Sequence, residues 1–241
     1  FATTAYINCS AAEAAAGNTT CPDTSLVKSI NGPRTDVIDI TGFSYYGNTD
    51  DSGCSQITGN CFRRGDIKSV TNALNQQVEF IRYDATGRPI RIRDANSVIL
   101  GLTYHHRGWL QQSAVRGADE TVTTDDAITQ YQVDSRGNLT QLTSPDGNTI
   151  TLTYDARGRL TKTRDQAGNE TRYTLDSLGN RTKEEAYDVG NTQRRVQSFV
   201  YDKWSRLIQL IGSTAAQTTN ITYDAAGRIT KTIDPNLVEA T

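Results

Sequence analysis

Four cysteines, Cys9, Cys21, Cys54 and Cys61, carry the most reactive chemistry in this chain, and all lie within the first 61 of its 241 residues. Their number is even, and each pair sits in a stretch rich in Gly, Asn, Ser and Thr. Cys9 with Cys21 and Cys54 with Cys61 would close two short local loops, a reading that implies an oxidising compartment. Two other chemistries are open to the same residues. Zinc would need thiolates and imidazoles at metal-ligand spacing, but no CxxC pair occurs and His105 and His106 are far away in sequence. Free thiols of a cytosolic protein are the third reading.

Other candidate groups are weaker. His105 and His106 are adjacent, so in a strand their rings would face opposite sides; they also occupy a position that elsewhere in the chain holds a turn aspartate. Asp50 and Asp51 with Asn48 form an acidic loop that could hold calcium, although the EF-hand pattern fails. Arg64, Gly65 and Asp66 spell RGD just after Cys61, yet the glycine is explained by a turn into the segment IKSV. Asn138 and Asn169 head N-x-T triplets that arise from the repeat described below. No Ser/His/Asp spacing, HExxH or Walker A pattern is present. The chain is expected to have no catalytic centre, no metal site and no cofactor.

Composition narrows the class. Hydrophobic residues make up 36% and charged residues 22%, but the net charge is only -2. That balance argues against a dedicated nucleic-acid binder and against an acidic disordered tail. No apolar run approaches the roughly 18 residues of a membrane-spanning helix.

The elements that must position these groups come from a repeated phrase. YDARGRL at 154–160 returns as YDAAGRI at 223–229 and YDATGRP at 83–89; looser copies are YHHRGWL (104–110), VDSRGNL (133–139), LDSLGNR (175–181) and YDKWSRL (201–207). The starts step by 21, 29, 21, 21, 26 and 22 residues. A period near 21 that tolerates insertions is the signature of a repeat architecture. Within a copy, Asp155 to Gly158 form a D-x-x-G turn: the aspartate caps backbone N–H groups ahead of it, and the glycine ends a three-residue hairpin loop with a G1 bulge. The strand LTKTR follows, then a second turn from Asp165 to Gly168, then the strand ETRYTL. SPDGN (144–148) and DANS (94–97) supply the second turn in other copies. Asp84 with Gly87, Asp134 with Gly137, Asp176 with Gly179 and Asp224 with Gly227 repeat the first. Each unit is therefore a complete hairpin step, and the expected fold is an all-β, repetitive antiparallel hairpin array.

Tyr83, Tyr104, Tyr154, Tyr201 and Tyr223 each stand just before a tight turn, where a ring can stack toward the neighbouring hairpin and cover the turn backbone. Val133 and Leu175 take that place in two copies, with Tyr131 and Tyr173 two residues earlier on the same face. The Arg or Asn after each turn glycine reads as a solvated or cross-strand partner. The strands are only modestly amphipathic, so they suit a wall one sheet thick whose open edges invite continuation or self-association. One helix is signalled, at SAAEAAAG, with Ser10 as N-cap, Glu13 completing a capping box and Gly17 as the stop.

The YDxxGRL phrase, its second D-x-x-G turn and the 21-residue step resemble the YD-repeat, or Rhs-repeat, family. The resemblance covers residues 83–241 and extends to about residue 29 through the diverged segments SINGPRTDV and DIKSVTNALNQQVEFIRYD. It implies a large secreted or surface protein, of bacterial type, whose repeats wind a β-sheet spiral into a hollow shell; in bacterial toxins of this family the shell encloses a toxic domain, and in animal teneurins a related shell belongs to an adhesion receptor. The implied partners are neighbouring repeats, an encapsulated toxin domain or surface glycans. The core motif of DPxGLxGG character that ends bacterial shells fails here, since Asp234 and Pro235 are followed by Asn236 and Leu237. The absent methionine, and a strand that begins again in IDPNLVEAT, read as a segment of a longer array. The expected organisation is a divergent Cys-containing segment (1–28), diverged repeats with a Cys-bearing insertion (29–82) and the regular array (83–241). The expected role is that of an extracellular structural wall, with an adhesion or carbohydrate-binding module as the alternative.

Overall fold

A computed structural model of the chain describes residues 4–16, 21–34, 36–54, 59–117 and 126–234. The chain divides into two compact units, Phe1–Thr129 and Gln130–Thr241. The expected Gly17 helix stop and the segment after Asp234 lie outside the described residues.

The first unit begins with β1 (Ala5–Asn8) and one short helix, α1 (Ala11–Ala15). Ser10 caps α1 and Glu13 closes the capping box, which satisfies two of the donors that a helix start leaves without partners. Then come β2 (Val27–Asn31), β3 (Ile40–Tyr45), β4 (Ile67–Thr71), β5 (Gln77–Tyr83), β6 (Pro89–Arg93), β7 (Ile99–Tyr104) and β8 (Leu110–Val115). Each pairs antiparallel with the strand before it in sequence.

Strand β9 (Ala127–Val133) leads into the second unit, where its residues Gln130–Val133 pair with β10 (Leu139–Thr143). The ladder continues through β11 (Thr149–Tyr154), β12 (Leu160–Asp165), β13 (Glu170–Leu175), β14 (Arg181–Tyr187), β15 (Gln193–Tyr201), β16 (Leu207–Ile211), β17 (Thr218–Tyr223) and β18 (Ile229–Ile233). Pairing is again antiparallel and in chain order. The fold is all-β, an antiparallel hairpin array.

Hairpin turns alternate between two rows, and the rows differ. On the row that carries the YD phrase the register slips by one residue at the base of each hairpin. Thr153 faces Lys162, but Tyr154 faces Leu160, which leaves Thr161 as an extra residue. The same slip occurs before Tyr45, Tyr83, Tyr104, Val133, Leu175, Tyr201 and Tyr223. On the opposite row the ladders of β10–β11, β12–β13 and β16–β17 run unbroken, and β14–β15 is an exception with a slip at Tyr187. Bulges, and the local twist they add, therefore fall mainly on the YD row.

Buried side chains belong to the first unit: Cys9, Cys21, Tyr45, Cys61, Tyr83, Ile99 and Ala114, with Ser69, Arg82 and Arg116. None of the described residues of the second unit is buried. A sheet without a packed second layer is held by its ladders and cross-strand pairs. Ion pairs span neighbouring strands, such as Lys162–Glu170 and Arg195–Glu184, each worth at most about 1 kcal/mol at such exposure.

Candidate functional site

The YD turn row gathers most of the predicted residues. At Asp155 the backbone frame is set by Gly158 N–H donating to Asp155 O at 3.0 Å and Asp155 N–H donating to Arg159 O at 2.9 Å. That is the three-residue loop with a G1 bulge, and Gly158 has φ +80°, a conformation open to glycine at no steric cost. The carboxylate then fills the loop. Its Oδ1 accepts the N–H groups of Arg157 (2.9 Å) and Arg159 (3.0 Å), and its Oδ2 accepts Arg159 Nε at 2.7 Å. Asp84, Asp202 and Asp224 do the same with Arg88, Arg206 and Arg228. Asp134 and Asp176 use the amides of Asn138 and Asn180. On the opposite row Asp165 holds Asn169 in the same way. Asn138 and Asn169, the heads of the N-x-T triplets, are thus engaged inside their turns.

These contacts set the carboxylate ionisation. The Arg159 N–H holds Asp155 below the ordinary carboxylate range, and the amides of Asn138, Asn169 and Asn180 do so for Asp134, Asp165 and Asp176. At Asp202 burial pushes upward, but the hydrogen bonds from Arg206 outweigh it and the group stays low. On the YD row Ser205 takes the glycine's place, with φ +61° in YDKWSRL, and its hydroxyl receives Asn180 Nδ2 at 3.1 Å.

Successive turns are joined in both directions. The tyrosine before a turn reaches back to the preceding hairpin. Tyr154 Oη donates to Leu139 O at 2.8 Å, Tyr223 to Leu207 O at 2.8 Å, Tyr201 to Arg181 O at 3.0 Å and Tyr83 to Ile67 O at 2.6 Å. Tyr104 instead lies under the Arg88 guanidinium, 4.8 Å from the ring centre. Arginines reach forward. Arg159 Nη1 donates to Asp176 O at 2.8 Å, Arg136 Nη1 to Ala156 O at 2.7 Å and Arg157 Nη1 to Ser177 O at 3.2 Å. Arg88 and Arg159, the arginines after the glycine in their turns, are therefore neither simply solvated nor cross-strand partners; each locks its own turn and bridges to the next. Threonines complete the row: at the bulge, Thr140, Thr161 and Thr182 donate their hydroxyls to the carbonyls of Gln132, Thr153 and Thr174.

The cysteines form two disulfides, Cys9–Cys21 and Cys54–Cys61, with Cα separations of 5.4 and 4.7 Å. Both sit on the YD row. The register slips between Ile7 and Asn8, where Asn8 faces Val27, and Cys9 N–H donates to Leu26 O at 2.9 Å, the bond that a turn aspartate makes elsewhere. Tyr45 faces Ile67, and its hydroxyl donates to Val27 O at 2.6 Å. Each disulfide-closed insertion thus stands where a D-x-x-G turn would. The insertions also lean on one another and on the next hairpin: Arg64 donates to Pro22 O, Arg82 to Gly53 O, and Tyr83 N–H to Cys61 O at 2.7 Å.

The remaining candidates are tied up or displaced. In the RGD segment, Asp66 accepts Arg63 N–H at 2.7 Å and Arg64 is spent on Pro22 and Gly47 carbonyls. Asp50 accepts Ser52 and Asn60. His105 and His106 stand in a turn, as their place in the repeated phrase implies, and their ring centres lie 3.9 Å apart. Among the described residues no group of three His, Cys, Asp or Glu side chains could hold a metal. Nor does any helix among them have the length and apolarity to cross a membrane.

Sequence reasoning located the Asp, Gly and Tyr positions but missed Tyr45, the bulge threonines and the forward arginines. The threonines had a signal, since a Thr follows the first strand residue in G-N-L-T, G-R-L-T and G-N-R-T.

The family model described as RHS Repeat matches residues 133–169 and 154–192. A search of curated proteins finds no match. Among solved structures, the chain is similar to the Tc holotoxin pore of Photorhabdus luminescens at 13% identity and TM-score 0.33, over 88% of this chain and 16% of that one. It is also similar to a TcdB2–TccC3 structure without its hypervariable C-terminal region, at 15% identity and TM-score 0.35, over 89% and 15%. A porin-like protein from Bacteroides uniformis matches at 13% identity and TM-score 0.24, over 65% and 83%. The chain therefore spans 16% and 15% of the two toxin structures.

Proposed function

This chain belongs to the Rhs/YD-repeat family, and from that membership we propose that it is a non-enzymatic wall segment of a secreted or cell-surface bacterial protein. Its hairpins build one stretch of a shell, scaffold or extracellular fibre, and in the complete protein that wall encloses a toxin domain. One observation carries the reading. The side chains best suited to grip a ligand, tyrosine hydroxyls and arginine guanidiniums, are spent between successive hairpins. A surface built that way gains by adding repeats, not by binding a small molecule. The two disulfides fit an oxidising compartment. Growth continues through neighbouring repeats or through self-association of open sheet edges.

Electron microscopy of the purified protein tests this. Curved sheets, shells or filaments are expected; a uniform population of isolated compact particles would count against a wall.

A second reading, an adhesion or carbohydrate-binding module, rests on Trp204. The residue is 66% exposed at a turn tip, with Lys203 4.2 Å and Arg206 4.7 Å from the ring centre. Glycan-array binding lost on Trp204→Ala would favour it; no binding by the unmodified chain would remove it.

A further inference from the structure

The turn at 105–109 has the backbone frame of its neighbours but a different chemical key. His105 N–H donates to Trp109 O at 2.8 Å and Gly108 N–H donates to His105 O at 2.7 Å. Where an aspartate would accept three hydrogen bonds, His105 accepts one: Arg107 N–H donates to its Nδ1 at 3.2 Å. A neutral imidazole has a single acceptor nitrogen, and the imidazolium has none. Protonation would set an N–H against an N–H at the point that holds the loop closed.

The charged groups around the ring add to this. From the preceding turn, Arg88 donates Nη1 to His105 O at 3.3 Å, while its guanidinium pairs with Asp84. Within the turn itself stand Arg107 and the His106 ring. Trp109 stacks on His105 with centres 5.2 Å apart. An indole attracts a cation, which favours the charged form, but Arg107 already lies 5.5 Å from that ring centre. No described carboxylate has a hydrogen bond to either histidine.

We propose that the 105–109 turn is a pH-sensitive release point in the array, which loosens when His105 takes up a proton while the aspartate-built turns stay closed. The direction of the titration agrees. Burial, then His106 and Arg107, hold His105 below the ordinary histidine value. A group lowered on folding contributes stability that is present above its unfolded value, about 6.5, and lost as pH falls through the folded value. The aspartate turns are lowered from the carboxylate range, so their window lies in far stronger acid. Because Arg88 joins His105 to the turn before it, loosening weakens that joint as well.

The chain has two tryptophans, so Trp204→Phe leaves Trp109 as a single reporter beside the switch. In that background, Trp109 emission and hydrogen exchange of residues 105–109 are followed from pH 8 to pH 5, with exchange corrected for its intrinsic pH dependence. Protection in 105–109 is expected to be lost on acidification, while the turns at 155–159 and 176–180 keep theirs. His105→Asp and the non-titrating His105→Asn should both retain protection across the range, and His106→Gln should preserve the response. Unchanged protection in the parent, an equal loss in both His105 variants, or abolition by His106→Gln alone would each overturn the proposal.

Discussion

Tyr154 Oη donates to the Leu139 carbonyl at 2.8 Å, so a residue of β11 is tied to the first residue of β10 next to the preceding turn. Tyr154→Phe keeps the ring and removes only this bond. A net loss of about 1 kcal/mol is expected, the usual contribution of such a hydrogen bond. Urea unfolding should show it as a lower midpoint at unchanged slope. Hydrogen exchange should place the loss at β10 and β11. An equal loss in Tyr104→Phe, whose hydroxyl lacks the corresponding bond to Pro89, would show that the loss does not come from the bond to the preceding hairpin.

Why the aspartates were legible and the tyrosine bond was not follows from range. The D-x-x-G loop is closed by contacts between residues two and four apart, such as Asp155 with Arg157 and Arg159, and these are written in the local sequence. The same holds for the Ser10 and Glu13 helix cap. The Tyr154–Leu139 bond depends on strand register, and the one-residue slip at Thr161 that sets this register has no marker in local propensity. Register also hid the fact that Asn8 with Val27, and Tyr45 with Ile67, are hairpin bases. The phrase that would have announced them is replaced by disulfide-closed insertions. His105 and His106 were legible for the same local reason as the aspartates: they occupy the turn position of the repeated phrase.

Acid should unfold the array through its turns. Asp155, Asp134, Asp165, Asp176 and Asp224 are all held below the ordinary carboxylate value by hydrogen bonds that require the ionised form. A carboxylate lowered on folding contributes stability above its unfolded value, about 3.9, and that stability is lost as pH falls through the folded value. Circular dichroism is therefore expected to show a steep loss of strand signal below about pH 4. Asp155→Asn keeps an oxygen acceptor for the two N–H groups but gives up the charge on Arg159. At neutral pH the melting order should be wild type above Asp155→Asn above Asp155→Ala, and a reversal of the last two would count against the turn as the acid-sensitive element.

Reduction should act on the first unit, which holds both disulfides. The Cys54–Cys61 bridge holds the loop whose Cys61 and Gly53 carbonyls take Tyr83 N–H and Arg82. Closing loops as short as these two contributes about 2–3 kcal/mol in the chain-entropy account. Intact mass after treatment with reductant should rise by four hydrogens, because both bridges open. Exchange protection should fall across residues 9–16, 46–54 and 82–85, whereas the hairpins closed by aspartate turns retain theirs. Uniform loss over the whole chain would mean that the insertions support the array globally and do not merely replace its first two turns.

The bulge itself is testable at Thr161. Because Thr153 faces Lys162 and Tyr154 faces Leu160, Thr161 is the residue without a partner opposite, and its Oγ1 donates to Thr153 O at 3.1 Å. A bulge disrupts the local ladder, and a carbonyl without a protein donor depends on water for one. Valine has nearly the shape of threonine and an equal preference for strands, so Thr161→Val removes the hydroxyl and little else. It should cost about 1 kcal/mol. Thr163 lies two residues on in the same strand, facing Leu152 in regular register, and Thr163→Val should be close to neutral. Denaturant midpoints of the two variants, measured side by side, decide whether the hydroxyl at the bulge stabilises the hairpin. Equal midpoints would leave the bulge without a chemical reason for its threonine.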